Sequence, residues 1–118
     1  MPYMLRTKIW IADQSGDVLF GMGRVKMLEA IEQHGSFNAA AKALKMSYRA
    51  LWGRIKATEE RLGKQLVVPT TGGIRGGGSS LTPYAKDLVS EFRAFRRQVL
   101  DQADECFNKM LLTKLRND

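Results

Sequence analysis

The stretch Gly35-Ser36-Phe37-Asn38-Ala39-Ala40-Ala41-Lys42-Ala43-Leu44-Lys45-Met46-Ser47-Tyr48-Arg49-Ala50-Leu51-Trp52-Gly53-Arg54-Ile55 decides the fold. Phe37, Ala40, Ala41 and Leu44 recur at i, i+3, i+4 and i+7, which places one apolar stripe on a short helix. Gly35 is suited to the left-handed end of a preceding helix, and Ser36 to accepting the free N–H groups of the next. The run Ala39 to Ala41 keeps this helix slim, so a neighbour can pack closely. Lys45-Met46 breaks the pattern. Ser47 then caps another helix, whose inner face is Leu51, Ile55, Thr58 and Leu62 before Gly63 stops it. Two short helices joined by about three residues form a helix-turn-helix unit.

Upstream, Val25, Leu28 and Ile31 recur three apart among Lys26, Glu29, Glu32 and Gln33, which predicts an amphipathic helix after Gly21-Met22-Gly23. Earlier still, Arg6 to Ala12 is rich in β-formers, Asp13-Gln14-Ser15-Gly16 is turn chemistry, and Asp17 to Phe20 returns as a second strand. A β-hairpin is expected there. Downstream, Gln65 to Val68 predicts a short strand, Thr70 to Ser80 a glycine-rich loop, and Leu81 the return, together a wing. Thr82-Pro83 is a strong helix start. Apolar residues follow at Ala85, Leu88, Phe92, Phe95, Val99, Ala103, Phe107, Met110 and Leu111. A helix unbroken to about Leu115 would overhang so small a domain and leave part of its stripe in need of a partner. The fold class is therefore mainly α with small β elements: a winged helix-turn-helix with an N-terminal β-hairpin and a long C-terminal dimerisation helix. Residues 1–82 are expected to form the winged helix-turn-helix unit and residues 83–118 the long helix, with Leu88, Phe92, Phe95, Val99 and Ala103 as the expected dimer interface.

Charge directs the search for a partner. The 118 residues carry 19 Lys and Arg against 12 Asp and Glu, a formal net charge of +7 that favours a polyanion. No apolar run approaches the roughly 20 residues that a spanning helix needs, and no secretory signal is read at Met1 to Arg6, so a cytoplasmic protein is expected. One cysteine, Cys106, and one histidine, His34, exclude a disulfide framework or a four-ligand zinc site from a single chain. No metal and no cofactor are expected.

On the third helix of the series, at 100° per residue, Arg49, Gly53, Lys56 and Glu60 point away from Leu51, Ile55 and Thr58. Such a face suits the roughly 12 Å wide major groove of double-stranded DNA. Tyr48 and Trp52 lie on one flank, where Trp52 is read first as a wedge against the wing or hairpin and second as a DNA contact. Gly53 costs about 1 kcal/mol relative to alanine inside a helix, which is explained by close approach to DNA or is merely tolerated. Ser36, Lys45, Arg54 and Thr71 are candidate phosphate contacts. Arg75, in the wing, suits the minor groove or the backbone. With Ser47 at the start of the reading helix, these residues make up the expected DNA-binding set. The segment Gly72 to Ser80 is not a nucleotide-binding phosphate loop, because Ser79 stands where the lysine is required. Glu59-Glu60 and Asp104-Glu105 read as surface charge, Arg93, Arg96 and Arg97 first as a solvated face and second as a phosphate or partner contact, and His34 as a surface residue at a helix end. Cys106 reads as an interface or packing residue, and nothing assembles a nucleophile, base and oxyanion donor into a catalytic site.

The run Gly35-Ser36 through Ala39-Ala40-Ala41, then Met46-Ser47-Tyr48-Arg49 and Trp52, resembles the DNA-binding domain of the ModE family of molybdate-responsive transcriptional regulators. Thr71-Gly72-Gly73, Gly76-Gly77-Gly78 and Leu81-Thr82-Pro83-Tyr84 are similar to that family's wing and linker-helix start. The resemblance covers about Gly21 to Val99. Phe37-Asn38 stand where the family has an Ile-Ser pair, and Ser79 where another glycine is common. The resemblance implies a LysR-type winged helix, a homodimer and operator DNA. Full-length members carry a C-terminal molybdate-binding region that has no counterpart in these 118 residues, so this chain is expected not to bind molybdate. The leading function is a sequence-specific, DNA-binding transcriptional regulator; the alternative is a winged-helix module for protein–protein interaction.

Overall fold

The computed structural model describes residues 3–71 and 77–116. The order is β1 (Trp10–Ala12), β2 (Val18–Gly21), α1 (Met22–His34), α2 (Phe37–Leu44), α3 (Tyr48–Leu62), β3 (Val67–Thr70), β4 (Gly78–Leu81), α4 (Pro83–Met110) and α5 (Leu112–Arg116). Two separate antiparallel hairpins, β1–β2 and β3–β4, flank the helices. The fold is a winged helix-turn-helix with a long helix beyond the wing.

Each junction is made by the residue chemistry read above. Gly35 takes φ 81° and its N–H donates to the Ile31 carbonyl, ending α1. Ser36 then accepts the Ala39 N–H at 3.0 Å and starts α2. Lys45 adopts φ 57°, an uncommon conformation for a non-glycine residue. It is held there because its own N–H bonds to Lys42 and the Met46 N–H bonds to Ala41. Ser47 accepts the Ala50 N–H at 3.0 Å and starts α3. Thr82 caps α4 through the Ala85 N–H, while its hydroxyl donates to the Gln65 carbonyl at 2.8 Å.

The core gathers Phe20, Val25, Leu28, Ile31, Ala40, Leu51, Ile55, Leu66, Ala85 and Phe92, all nearly or wholly buried. Phe20 and Phe92 meet edge to face at 5.5 Å, joining the first hairpin to α4. The core thus runs across Thr82–Pro83, because the first turns of α4 supply Ala85, Val89 and Phe92. Beyond them the helix leaves the domain. Its 28 residues span about 42 Å, and the molecule measures 65 × 31 × 23 Å.

Several element boundaries differ from expectation, among them β4, which begins at Gly78 inside the expected loop. Strand β1 starts at Trp10 rather than Arg6, because Trp10 pairs with Gly21 and the chain then enters α1, leaving nothing for Ile9 to pair with. Strand β3 starts at Val67 rather than Gln65 and continues through Pro69 opposite Ser79. A two-stranded ribbon has only edges, where proline is tolerated. The long helix breaks at Leu111, whose φ of −121° leaves the α region, and α5 follows as a short separate turn.

Candidate nucleic-acid interface

Helix α3 is the centre of the site. Leu51, Ile55 and Thr58 are fully buried, so the opposite face is turned outward by helix geometry. Arg49 and Gly53 are exposed there. A β-carbon added at Gly53 would meet nothing within 4 Å, so no packing inside the chain requires glycine at this position. Trp52 is 44% exposed. The Lys56 ammonium lies 5.6 Å from its ring centroid. Tyr48 is half-exposed and edge-on to Phe37 at 6.0 Å, so Phe37 braces the first turn of the outward face.

The remaining expected contacts surround this helix. Ser36 and Ser47 are the caps of α2 and α3. Lys45 is exposed at the turn between those helices, Arg54 is exposed on α3, and Thr71 is exposed just after β3. Arg75 lies outside the described residues. The structure brings Arg49, Trp52, Gly53 and Lys56 onto one face of α3, with Tyr48 at its edge, and sets Arg54 on a flank.

Glu59, read above as surface charge, has a structural role. Its side chain is 12% exposed and forms an ion pair with Lys56 at 3.2 Å. Its other oxygen accepts the N–H groups of Leu66 at 2.8 Å and Val67 at 3.1 Å. One carboxylate therefore ties the wing's first strand to α3 and restrains Lys56. The signal lay in the helical wheel: Glu59 sits beside Ile55 and Leu62, at the border of the apolar face, whereas Glu60 points out. Glu32 on α1 has the matching role for the second strand. It accepts the Leu81 N–H at 3.0 Å and pairs with Lys86 at 3.4 Å. The Leu81 bond first, and then Lys86, hold its carboxyl below the usual carboxylate range.

The expected dimer residues divide. Phe92 lies in the domain's own core, Leu88 packs half-buried against that core, and Val99 and Ala103 are half-buried further along α4. Phe95 is 49% exposed. Arg93 forks onto Glu29 of α1 with contacts of 2.9 and 2.6 Å, and Cys106 is exposed. Among the described residues no cluster of three or more His, Cys, Asp or Glu could hold a metal ion, and no helix is long and apolar enough to cross a membrane.

Comparison with known proteins agrees with this geometry. The chain is 39% identical over 90 residues to the molybdenum transport protein ModE of Azotobacter vinelandii, covering 74% of this chain and 33% of that protein. It is 39% identical over 74 residues to the transcriptional regulator ModE of Haemophilus influenzae, covering 63% and 29%. The chain thus spans about a third of the length of the curated relatives it matches. Among solved structures, the CbnR DBD–DNA complex matches 76% of this chain and 98% of that one, with a TM-score of 0.56 and 22% identity. ArgP from Mycobacterium tuberculosis matches 74% of this chain and 30% of its own, with a TM-score of 0.52 and 28% identity. Residues 22–86, the span from α1 to the start of α4, match the model for bacterial regulatory helix-turn-helix proteins of the lysR family, and the chain belongs to that family.

Proposed function

We propose that the chain is a sequence-specific DNA-binding transcriptional regulator that acts as a homodimer, with a DNA-binding unit of the ModE type. The observation that carries this reading is the outward face of α3. Arg49, Trp52 and Gly53 stand clear of the domain's own packing, on a helix clamped from behind by α2 and from the side by the wing. Arginine offers a bidentate fork to the guanine edge in the major groove, and a glycine beside it lets the helix backbone approach the bases. The net charge of +7 supplies the non-specific attraction to phosphate that any such contact requires. A solved relative of the same fold is a complex with DNA.

The dimer rests on α4. Phe95 is exposed and Val99 and Ala103 only half covered, on a helix that outruns its own domain. Pairing with a second copy would cover this stripe and set two α3 helices at a fixed spacing. The residues here are read as the DNA-binding unit, and recognition of molybdate is not assigned to them.

The test is to select preferred duplexes from genomic fragments with the purified protein, then titrate Arg49→Ala against the best duplex and a scrambled one at fixed salt. Loss of one bidentate contact should narrow the operator-to-scrambled ratio by about 1–3 kcal/mol. An unchanged ratio in a folded variant would show that α3 is not read through this face.

A further inference from the structure

Four cationic side chains gather where α1, the first hairpin and α4 meet the flank of α3. Arg24 reaches from the first turn of α1 and donates from Nε to the buried Thr58 hydroxyl at 2.9 Å, and that hydroxyl donates to the Arg54 carbonyl at 3.0 Å. Arg61 donates from Nη1 to the Val18 carbonyl at 2.9 Å. Arg96 of α4 and Arg24 share the lining of an adjoining groove. Among the described residues no ion pair involves Arg24, Arg54, Arg61 or Arg96. Burial first, then the charges of Arg54 and Arg61, hold the Arg24 guanidinium below its usual range. The fold thus holds like charges together, and among the described residues none of the four is neutralised by an ion pair.

The order of the cluster is set by α3. Arg54, Thr58 and Arg61 recur at i, i+4 and i+7, one row along the helix, with the place above Thr58 filled by the Arg24 side chain from another element. The row Arg54, Arg24, Arg61 extends about 10 Å. Its two α3 arginines lie about 140° and 160° around α3 from Glu59, which ties the wing, so wing and arginines occupy opposite flanks of the outward face. Between that face and the row stand only Ala50 and Ala57, too short to block a close approach. A helix in the major groove has one phosphate wall on each side, and the arginine row stands on the flank of α3 away from the wing.

We infer that Arg54, Arg24 and Arg61 form a phosphate-binding row that grips the DNA backbone on the side of α3 away from the wing. This inference rests on the DNA-binding reading above and adds Arg24 and Arg61 to it. Guanidinium groups suit the row because each offers a planar pair of donors to a phosphate. Arg24, held by Thr58, is oriented before DNA arrives. The counter-charge is then supplied by the duplex itself.

The test uses the whole chain and a mixed-sequence duplex of about three helical turns, with binding measured across a salt series. Arg54→Gln and Arg61→Gln should each lower affinity about three- to tenfold and reduce the slope of log K against log salt by about 0.9. Arg24→Leu should do the same. Lys114→Gln, a charge-matched change on exposed α5, should leave the slope unaltered. Should Arg24→Leu fail to fold, the two exposed positions decide. If neither Arg54→Gln nor Arg61→Gln changes the slope while Arg49→Ala still narrows the specificity ratio, the row does not touch DNA and the inference falls alone. If the unmodified protein binds no duplex, the DNA-binding reading falls with it. Saturable binding of inorganic phosphate to the row, with the duplex slope unchanged, would likewise overturn the inference.

Discussion

Gly78 lies against the carbonyl of Gly35 so closely that a β-carbon on Gly78 would overlap the carbonyl oxygen, while the next N–H, that of Ser79, donates to the same oxygen at 2.8 Å. The end of α1 and the second strand of the wing are thus joined backbone to backbone. The contact needs glycine for its closeness rather than for a left-handed conformation. Gly78→Ala should push the strand off α1 and cost about 1–3 kcal/mol, read as a lower midpoint in denaturant. A midpoint equal to that of the unmodified protein would show that the strand shifts at no cost.

Gly53 predicts the opposite pairing of effects. Space around it is empty, so Gly53→Ala should stabilise the fold by about 1 kcal/mol through helix propensity. The added methyl stands where a base edge would approach, so binding to the selected duplex should weaken. Thermal melting and titration on the same sample check both halves. A variant that is more stable and binds equally well would place DNA further from this face.

Acid should loosen the wing. Glu32 has a folded-state pKa held below its ordinary value, by the Leu81 N–H first and Lys86 after it. Its contribution to stability is therefore present above the unfolded-state value and is lost as the pH falls through the lower folded-state value. Glu32→Gln should flatten that part of the acid limb of stability against pH and leave neutral-pH stability slightly lower. An acid limb identical in both proteins would show that Glu32 does not carry it.

Dimerisation should be separable from folding. Phe95 is 49% exposed in a single chain, so Phe95→Glu together with Val99→Glu should change the melting point little and convert dimers to monomers at micromolar concentration. Sedimentation equilibrium measures this directly. A monomeric unmodified protein at that concentration would remove the basis for the paired α4 helices.

The parts of the fold legible in sequence are those set by local chemistry. Ser36, Ser47 and Thr82 each cap the helix predicted from them, and the stripe of Leu51, Ile55 and Thr58 faces inward as its spacing requires. What escaped depended on partners distant along the chain. Glu59 looked like surface charge because Leu66 and Val67 reach it only when the wing folds back, and Arg24 finds Thr58 only when α1 crosses α3.

The base of the wing is moored to two different helices: β3 is held by Glu59 of α3, and β4 by Glu32 of α1 and by Gly35 at the end of α1. The strands are themselves paired at four positions, from Val67 with Leu81 to Thr70 with Gly78. Sliding α1 past α3 would therefore shear a hydrogen-bonded ladder. The three parts form a closed truss whose shape is settled before a partner arrives. Little ordering entropy remains to be lost at the wing's base during association, so changes that relax the truss without touching the reading face should weaken binding chiefly through entropy.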